Sequence, residues 1–301
     1  MSWEKQWNRF GKKSESCRKY KSHWGFPPLF IAADQEGGIV SRLSPPLSKL
    51  PPISKLLKKT VPSELDKKII QYASVHAEEL SDLGVNMNLG PVVDLKIKWD
   101  SVFPDIHTQI HKRAISDDKS VVADVALLYS KTLEQYGVIP TLKHFPGLGR
   151  VRQDTHYSAG KLDLDLRHLE ENDWIPFQKI VRQTGACIMM GHVMLKHADP
   201  HHPVSFSKTV VQGIIRRKWK YDGILITDDM NMGPVYGSSH GIGGAAVKAL
   251  NAGIDLLLIS YDGAQYYEAM YDVINACNQK MLNFEIIDES NRRLKLAKLK
   301  M

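Results

Sequence analysis

The sequence predicts an α/β chain in which a parallel sheet is sheathed by helices, and three observations carry that prediction. Short apolar runs rich in branched residues alternate with amphipathic helical patterns along the chain. Polar groups gather at the carboxyl ends of those runs, where ligands bind in parallel α/β folds. At 301 residues the chain is long enough for one α/β barrel or one doubly wound domain, and no Pro/Gly/Ser-rich linker divides it.

Six runs read as strands: PLFIAAD (28–34), VNMNLGPVV (85–93), GVIPTLKHF (137–145), ACIMMGHV (186–193), GILITDD (223–229) and IDLLLIS (254–260). Their apolar residues run together instead of alternating, as in strands covered on both faces. Between them, residues 63–84 place Leu65, Ile69, Tyr72, His76, Leu80 and Leu83 on one helical face, with Ser63 as the expected cap and Gly84 as the stop. Residues 116–137 do the same with Val121, Val125, Leu128 and Leu133. Further helices are expected at about 168–183, 207–219, 242–252, 263–281 and 285–299. The whole of 1–301 is expected to form one domain, with an N-terminal helix in 1–27 and a C-terminal helix in 282–301.

Composition narrows the function. Lys+Arg of 40 against Asp+Glu of 33 gives a formal charge of +7, yet no dense basic stripe interleaved with aromatics appears, so nucleic acid is not an expected partner. Cys17, Cys187 and Cys277 are odd in number and lack metal-ligand spacing, against a disulfide framework or a zinc site. His197, His201 and His202, and the pair His107 and His111, read as solvated loop residues, so no metal or other cofactor is expected. No run has the length of a membrane span and the N-terminus has no signal-like apolar region. The expectation is a cytoplasmic protein without a membrane partner, or a periplasmic one if the natural chain begins upstream.

Five of the six runs end in polar groups: Asp34, Asp94 just beyond its strand, Lys143 with His144, His192, and Asp228 with Asp229. Their convergence from distant positions onto one rim argues for a site. Successive strand side chains point opposite ways, so of Asp228 and Asp229 one is expected to face the pocket and the other to support the loop. Asp34-Gln35-Glu36 runs into Gly37-Gly38, which alone would also suit a tight turn.

Taken together these stretches resemble glycoside hydrolase family 3, and in particular its bacterial β-N-acetylglucosaminidases of cell-wall recycling. The resemblance rests on IAADQEGGIVSRL, NLGPVVDL, HKRAIS, KHFPGLGRVRQDTH, MMGHVML, GILITDDMNM and ALNAGIDLLLIS, in that order, and KHFPGxG followed by Asp-x-His is its most diagnostic part. It implies a single-domain TIM-like (β/α)8 barrel, here lacking the first strand because only 33 residues precede Asp34. It implies Asp228 as nucleophile, His156 on a loop as acid/base with Asp154 as its partner, and contacts from Asp34, Arg113, Lys143 and His144 to sugar hydroxyls. The implied reaction is retaining release of terminal β-linked N-acetylglucosamine, with peptidoglycan fragments as the source. β-Glucosidase or phosphorolytic activity, or a non-catalytic sugar-binding barrel, are the alternatives.

The chemistry suits those residues. Retaining hydrolysis needs a nucleophile on one face of the sugar and a proton donor on the other. A carboxylic acid must be pushed up to hold a proton near neutrality, whereas His starts in range and an Asp partner fixes its tautomer. Lys143 and Arg113 would keep the nucleophile ionised if they reach the same pocket. Gly147 and Gly149 suit a hinge under the acid/base loop, or else a rigid turn. The loop reads GLGR where many relatives carry a second His, and DTH where they carry DSH. A missing strand leaves a gap that a helix, the N-terminal segment or a second copy must cover, and a homodimer across it is one expectation.

Overall fold

The computed structural model describes residues 29–97, 108–151, 160–236, 241–260 and 263–299. The helix expected in 1–27, and with it Cys17, His107, Asp154 and His156, lies outside them.

Five short strands pair in parallel in their order along the chain: β1 (Ala32–Ala33), β2 (Met87–Asn88), β3 (Ile139–Phe145), β4 (Cys187–Met190) and β5 (Leu225–Thr227). The sixth expected run joins through a parallel bridge between Ile226 and Leu256, with backbone bonds from Thr227 N–H to Leu256 and from Met230 N–H to Leu258. The result is a curled parallel sheet, a half-barrel, and among the described residues no further strand closes it into the TIM-like barrel, short of its first strand, that the sequence implies.

Helices surround the sheet: α1 (Leu65–Asp82), α2 (Lys119–Gln135), α3 (Leu166–Glu171), α4 (Ile175–Val181), a π-helix at Thr209–Lys218, α5 (Gly241–Ala252), α6 (Gly263–Asn278) and α7 (Phe284–Lys298). Three details differ from the sequence reading. Ser63 does not cap α1; Glu64 precedes it after a single 3₁₀ turn over Pro62–Glu64, with no side-chain cap. The helix expected over 168–183 is two, separated at Asn172–Trp174 where Trp174 turns inward and is fully buried. On α2 the buried stripe runs through Val122, Val125, Tyr129 and Leu133, whereas Val121 and Leu128 are only half-buried, and Asp118 caps the helix through the N–H groups of Ser120 and Val121.

The two faces of the sheet feed two cores, as strand alternation requires. Ile188, Met190 and Leu225 join the core beneath the helices, whereas Cys187, Met189, Ile224 and Ile226 point inward with Met87 and Leu89. Leu294 and Ala297 of α7 pack on that inner cluster beside Phe30, so the C-terminal helix covers the interior that the incomplete ring would otherwise expose. The motive for a dimer across the gap therefore falls away.

One buried ion cluster holds α7 in place. Both oxygens of Asp255 are taken by guanidinium groups, Oδ2 by Arg216 at 2.7 Å and Oδ1 by Arg293 at 2.9 Å, and the Leu225 N–H also donates to Oδ2 at 2.7 Å. These groups link the π-helix, β5 and α7 at the end of the sheet away from the polar rim.

Candidate active site

The rim at the carboxyl ends of the strands is built from β1 outward. Asp34 follows β1, and Glu36 sits in the hairpin of Gln35–Gly37 with Val40–Ser41, both in reach of Lys143 at the end of β3. Lys143 Nζ donates to Asp34 Oδ1 at 2.5 Å and pairs with Glu36 Oε1 at 2.6 Å. Arg113 grips Glu36 with two parallel bonds, Nε to Oε2 at 2.9 Å and Nη2 to Oε1 at 2.6 Å. Such bidentate pairing fixes geometry as well as charge. Burial would push the Glu36 carboxyl up, but the Lys143 and Arg113 charges and the bonds they donate outweigh it and bring its pKa down to about 2. Glu36, which read as a turn residue, is thus the anchor between two cations.

His144 is held from behind. Its ring Nδ1 lies 2.8 Å from Asp94 Oδ2, and its backbone N–H and that of Leu148 also donate to the buried Asp94 carboxylate. With Nδ1–H donating to Asp94, Nε2 is left as acceptor for Arg113 Nη2, 3.3 Å away. Asp94 stood among the polar strand ends in the sequence, but nothing local marked it as the group that organises His144 and the following loop.

The hairpin is supported from below by Asn88. Its Oδ1 accepts from Gln35 N–H, and its Nδ2 donates to the Gln35 carbonyl and to Tyr129 Oη, which in turn meets His76 Nδ1 at 2.9 Å. His76, read as a helical face residue, is fully buried, and burial brings its pKa down to about 4, so it stays neutral.

After β5, Asp228 and Asp229 part company. The Asp229 side chain accepts from the N–H groups of Asn231 and Ser260 and from Ser260 Oγ, so it ties the loop to the end of the sixth run. Asp228 stays partly exposed, accepting from Asp229 N–H at 2.9 Å. Burial raises its pKa, but the nearness of His144 and His192, the Asp229 N–H and then Lys143 outweigh that, so the carboxylate is held below its usual range. His192 donates from Nε2 to the Asp229 carbonyl at 3.1 Å and accepts from Ser205 Oγ at Nδ1. Burial lowers its own pKa, against the pull of Asp228, and its two hydrogen bonds make it a strut beneath the Asp228–Asp229 peptide.

The structure therefore brings Asp34, Arg113, Lys143 and His144 into one polar group and sets Asp228 near it. Arg113 is spent on Glu36 and is not among the main influences on Asp228, unlike the expectation from sequence. Gly147 has φ of +114°, and a Cβ on Gly149 would collide with the Leu95 carbonyl, so the turn requires glycine at both positions. Leu148 is buried, and Arg150 turns back to Asp173 at 2.7 Å instead of toward the rim. His197 and His202 are exposed and paired with Asp163 and Asp199, and among the described residues no cluster has a metal-binding arrangement.

Comparison with known proteins fits this arrangement. The model of the glycosyl hydrolase family 3 N terminal domain matches residues 4–296. The chain belongs to glycosyl hydrolase family 3. It is 31% identical over 261 residues to a beta-hexosaminidase of Stenotrophomonas maltophilia (strain R551-3), covering 85% of this chain and 72% of that protein. A beta-hexosaminidase of Xylella fastidiosa (strain M23) is 34% identical over 236 residues, 78% of this chain and 68% of the relative. Among solved structures, the family 3 beta-N-acetylglucosaminidase of Paenibacillus sp. str. FPU-7 superposes with a TM-score of 0.86 at 28% identity, over 97% of this chain and 53% of that one. The beta-N-acetylhexosaminidase of Beutenbergia cavernae DSM 12333 gives a TM-score of 0.80 at 27% identity, over 91% and 79%. This family 3 chain therefore spans about half of the Paenibacillus protein and a larger share of the others.

Proposed function

We propose that the protein is a retaining exo-glycosidase that removes terminal β-linked N-acetylglucosamine, with peptidoglycan-derived fragments in the cytoplasm as the substrate class. The observation that carries this reading is the placement of Asp228: a strand-end carboxylate kept ionised at an open rim, with Asp229 diverted into loop support. Asp228 attacks the anomeric carbon as the bond to the leaving oxygen breaks, and protonated His156, oriented by Asp154, supplies that oxygen with its proton. In the second step His156 takes a proton from water, the oxygen bonds to the anomeric carbon, and the Asp228–sugar bond breaks. Asp34, the more exposed end of the Lys143 pair, accepts from sugar hydroxyls, while Lys143, Arg113 and His144 hold the donors and acceptors around it. No metal or organic cofactor takes part in these steps.

The test is nitrophenol release from the β-N-acetylglucosaminide and from the β-glucoside, each with and without phosphate. The expected result is turnover of the N-acetyl sugar in phosphate-free buffer, reduced to background in Asp228→Ala and sharply slowed in His156→Ala. Strict dependence on phosphate would make the enzyme a phosphorylase, and absence of turnover from folded protein would leave only sugar binding.

A further inference from the structure

Helix α6 is built inside out for a surface helix of a sheathed sheet. Ordinarily the large apolar residues face the core. Here only Ala269 and Ala276 are buried, and the helix lies close to α5 where a Cβ on Gly243 would run into the Asp272 carboxylate. The large residues face outward: Tyr267 and Tyr271 are 65% and 66% exposed, with Tyr266, Met270 and Ile274 alongside and Met281 in the turn that follows. Tyr267, Tyr271 and Ile274 stand four and three residues apart, so they form one stripe.

The size of the stripe is informative. Taking ~150–250 Å² for a fully exposed large side chain, these six residues, between 39% and 66% exposed, present roughly 500–800 Å². That lies at or above the upper end of the largest apolar patch of an ordinary monomer, ~300–600 Å². It approaches the ~800 Å² that each partner contributes to a stable interface.

We propose that α6 is the interface of a homodimer, with a two-fold axis at Ile274. A two-fold pairs each residue with a partner at a mirrored distance from the axis. Antiparallel copies centred on Ile274 set Tyr267 against Met281, Tyr271 against Cys277, and Ile274 against its own copy. The interior gap is already covered by α7, so the stripe is the large apolar surface among the described residues that a second copy can cover.

Sedimentation at ~50 μM tests the interface, a concentration that would populate any dimer of micromolar affinity. The parent should sediment at twice the chain mass, and a Tyr271→Arg, Ile274→Arg variant with unchanged circular dichroism at the chain mass, its association weakened at least ~100-fold. The position of the axis has its own test: Ile274→Cys, with Cys17 and Cys277 replaced by Ser, should form a covalent dimer under mild oxidation. A monomeric parent would overturn the proposal and leave the stripe to another partner. A dimer that survives the double arginine substitution, or one in which the Ile274→Cys thiols do not cross-link, would overturn it as well. None of these readouts depends on glycosidase activity.

Discussion

Two buried residues make the folded state sensitive to acid for opposite chemical reasons. Glu36 is held at a pKa of about 2 by Lys143 and Arg113, below the 4.5 of a free carboxyl. The stability it contributes is full above pH 4.5 and is lost as pH falls through the folded value, on the order of 3 kcal/mol for the whole interval. His76 is held neutral with a pKa of about 4 against 6.5 when free, so the unfolded chain binds the extra proton between those values and stability falls there too. Urea midpoints measured from pH 7 to pH 3 should therefore decline continuously, and His76→Phe should flatten the upper part of that decline. A midpoint constant down to pH 4.5 in the parent would contradict the neutral assignment of His76. Neither residue announced this role in the sequence: His76 read as one position of a helical stripe, and Glu36 as part of a turn. Their partners Tyr129, Lys143 and Arg113 lie 53, 107 and 77 positions away, respectively.

At the scale of elements, the strands and most helices were legible because each carries its own signal. The six apolar runs recur as five paired strands and one bridged segment, and Gly84 follows the end of α1 as turn chemistry predicts. What periodicity could not supply is how α7 is used. Its pattern predicts a helix and no more, whereas Leu294 and Ala297 plug the interior of the half-barrel, and Arg293 is drawn in by a carboxylate on another element. Asp255 neutralises two buried guanidinium groups, and no other described carboxylate approaches either of them as closely, so Asp255→Ala should destabilise by about 3–5 kcal/mol. Chemical denaturation measures this, and the variant should expose the inner apolar cluster to a hydrophobic dye before the helices melt. A loss below ~1 kcal/mol would mean that α7 is held by packing alone.

For the molecule as a whole, the sequence pointed to an eight-stranded type of barrel short of its first strand, and the described residues form a half-barrel whose interior is covered by a helix. The rim survives that economy, because Asp34, Asp94, Lys143, His144, His192 and Asp228 all come from strands that are present and adjacent. The site was legible to the extent that strand ends converge; the division of labour between Asp228 and Asp229 needed the loop bonds to Ser260 and Asn231 to be seen. The central claim is that the ionised Asp228 attacks the sugar. It is tested most directly by incubating the enzyme with a slow fluorinated β-N-acetylglucosaminide and mapping the adduct by peptide mass spectrometry. The account predicts one sugar covalently attached to Asp228 and release of the β-anomer as first product. Turnover that gives the α-anomer first, or an adduct on any other carboxylate, would contradict it.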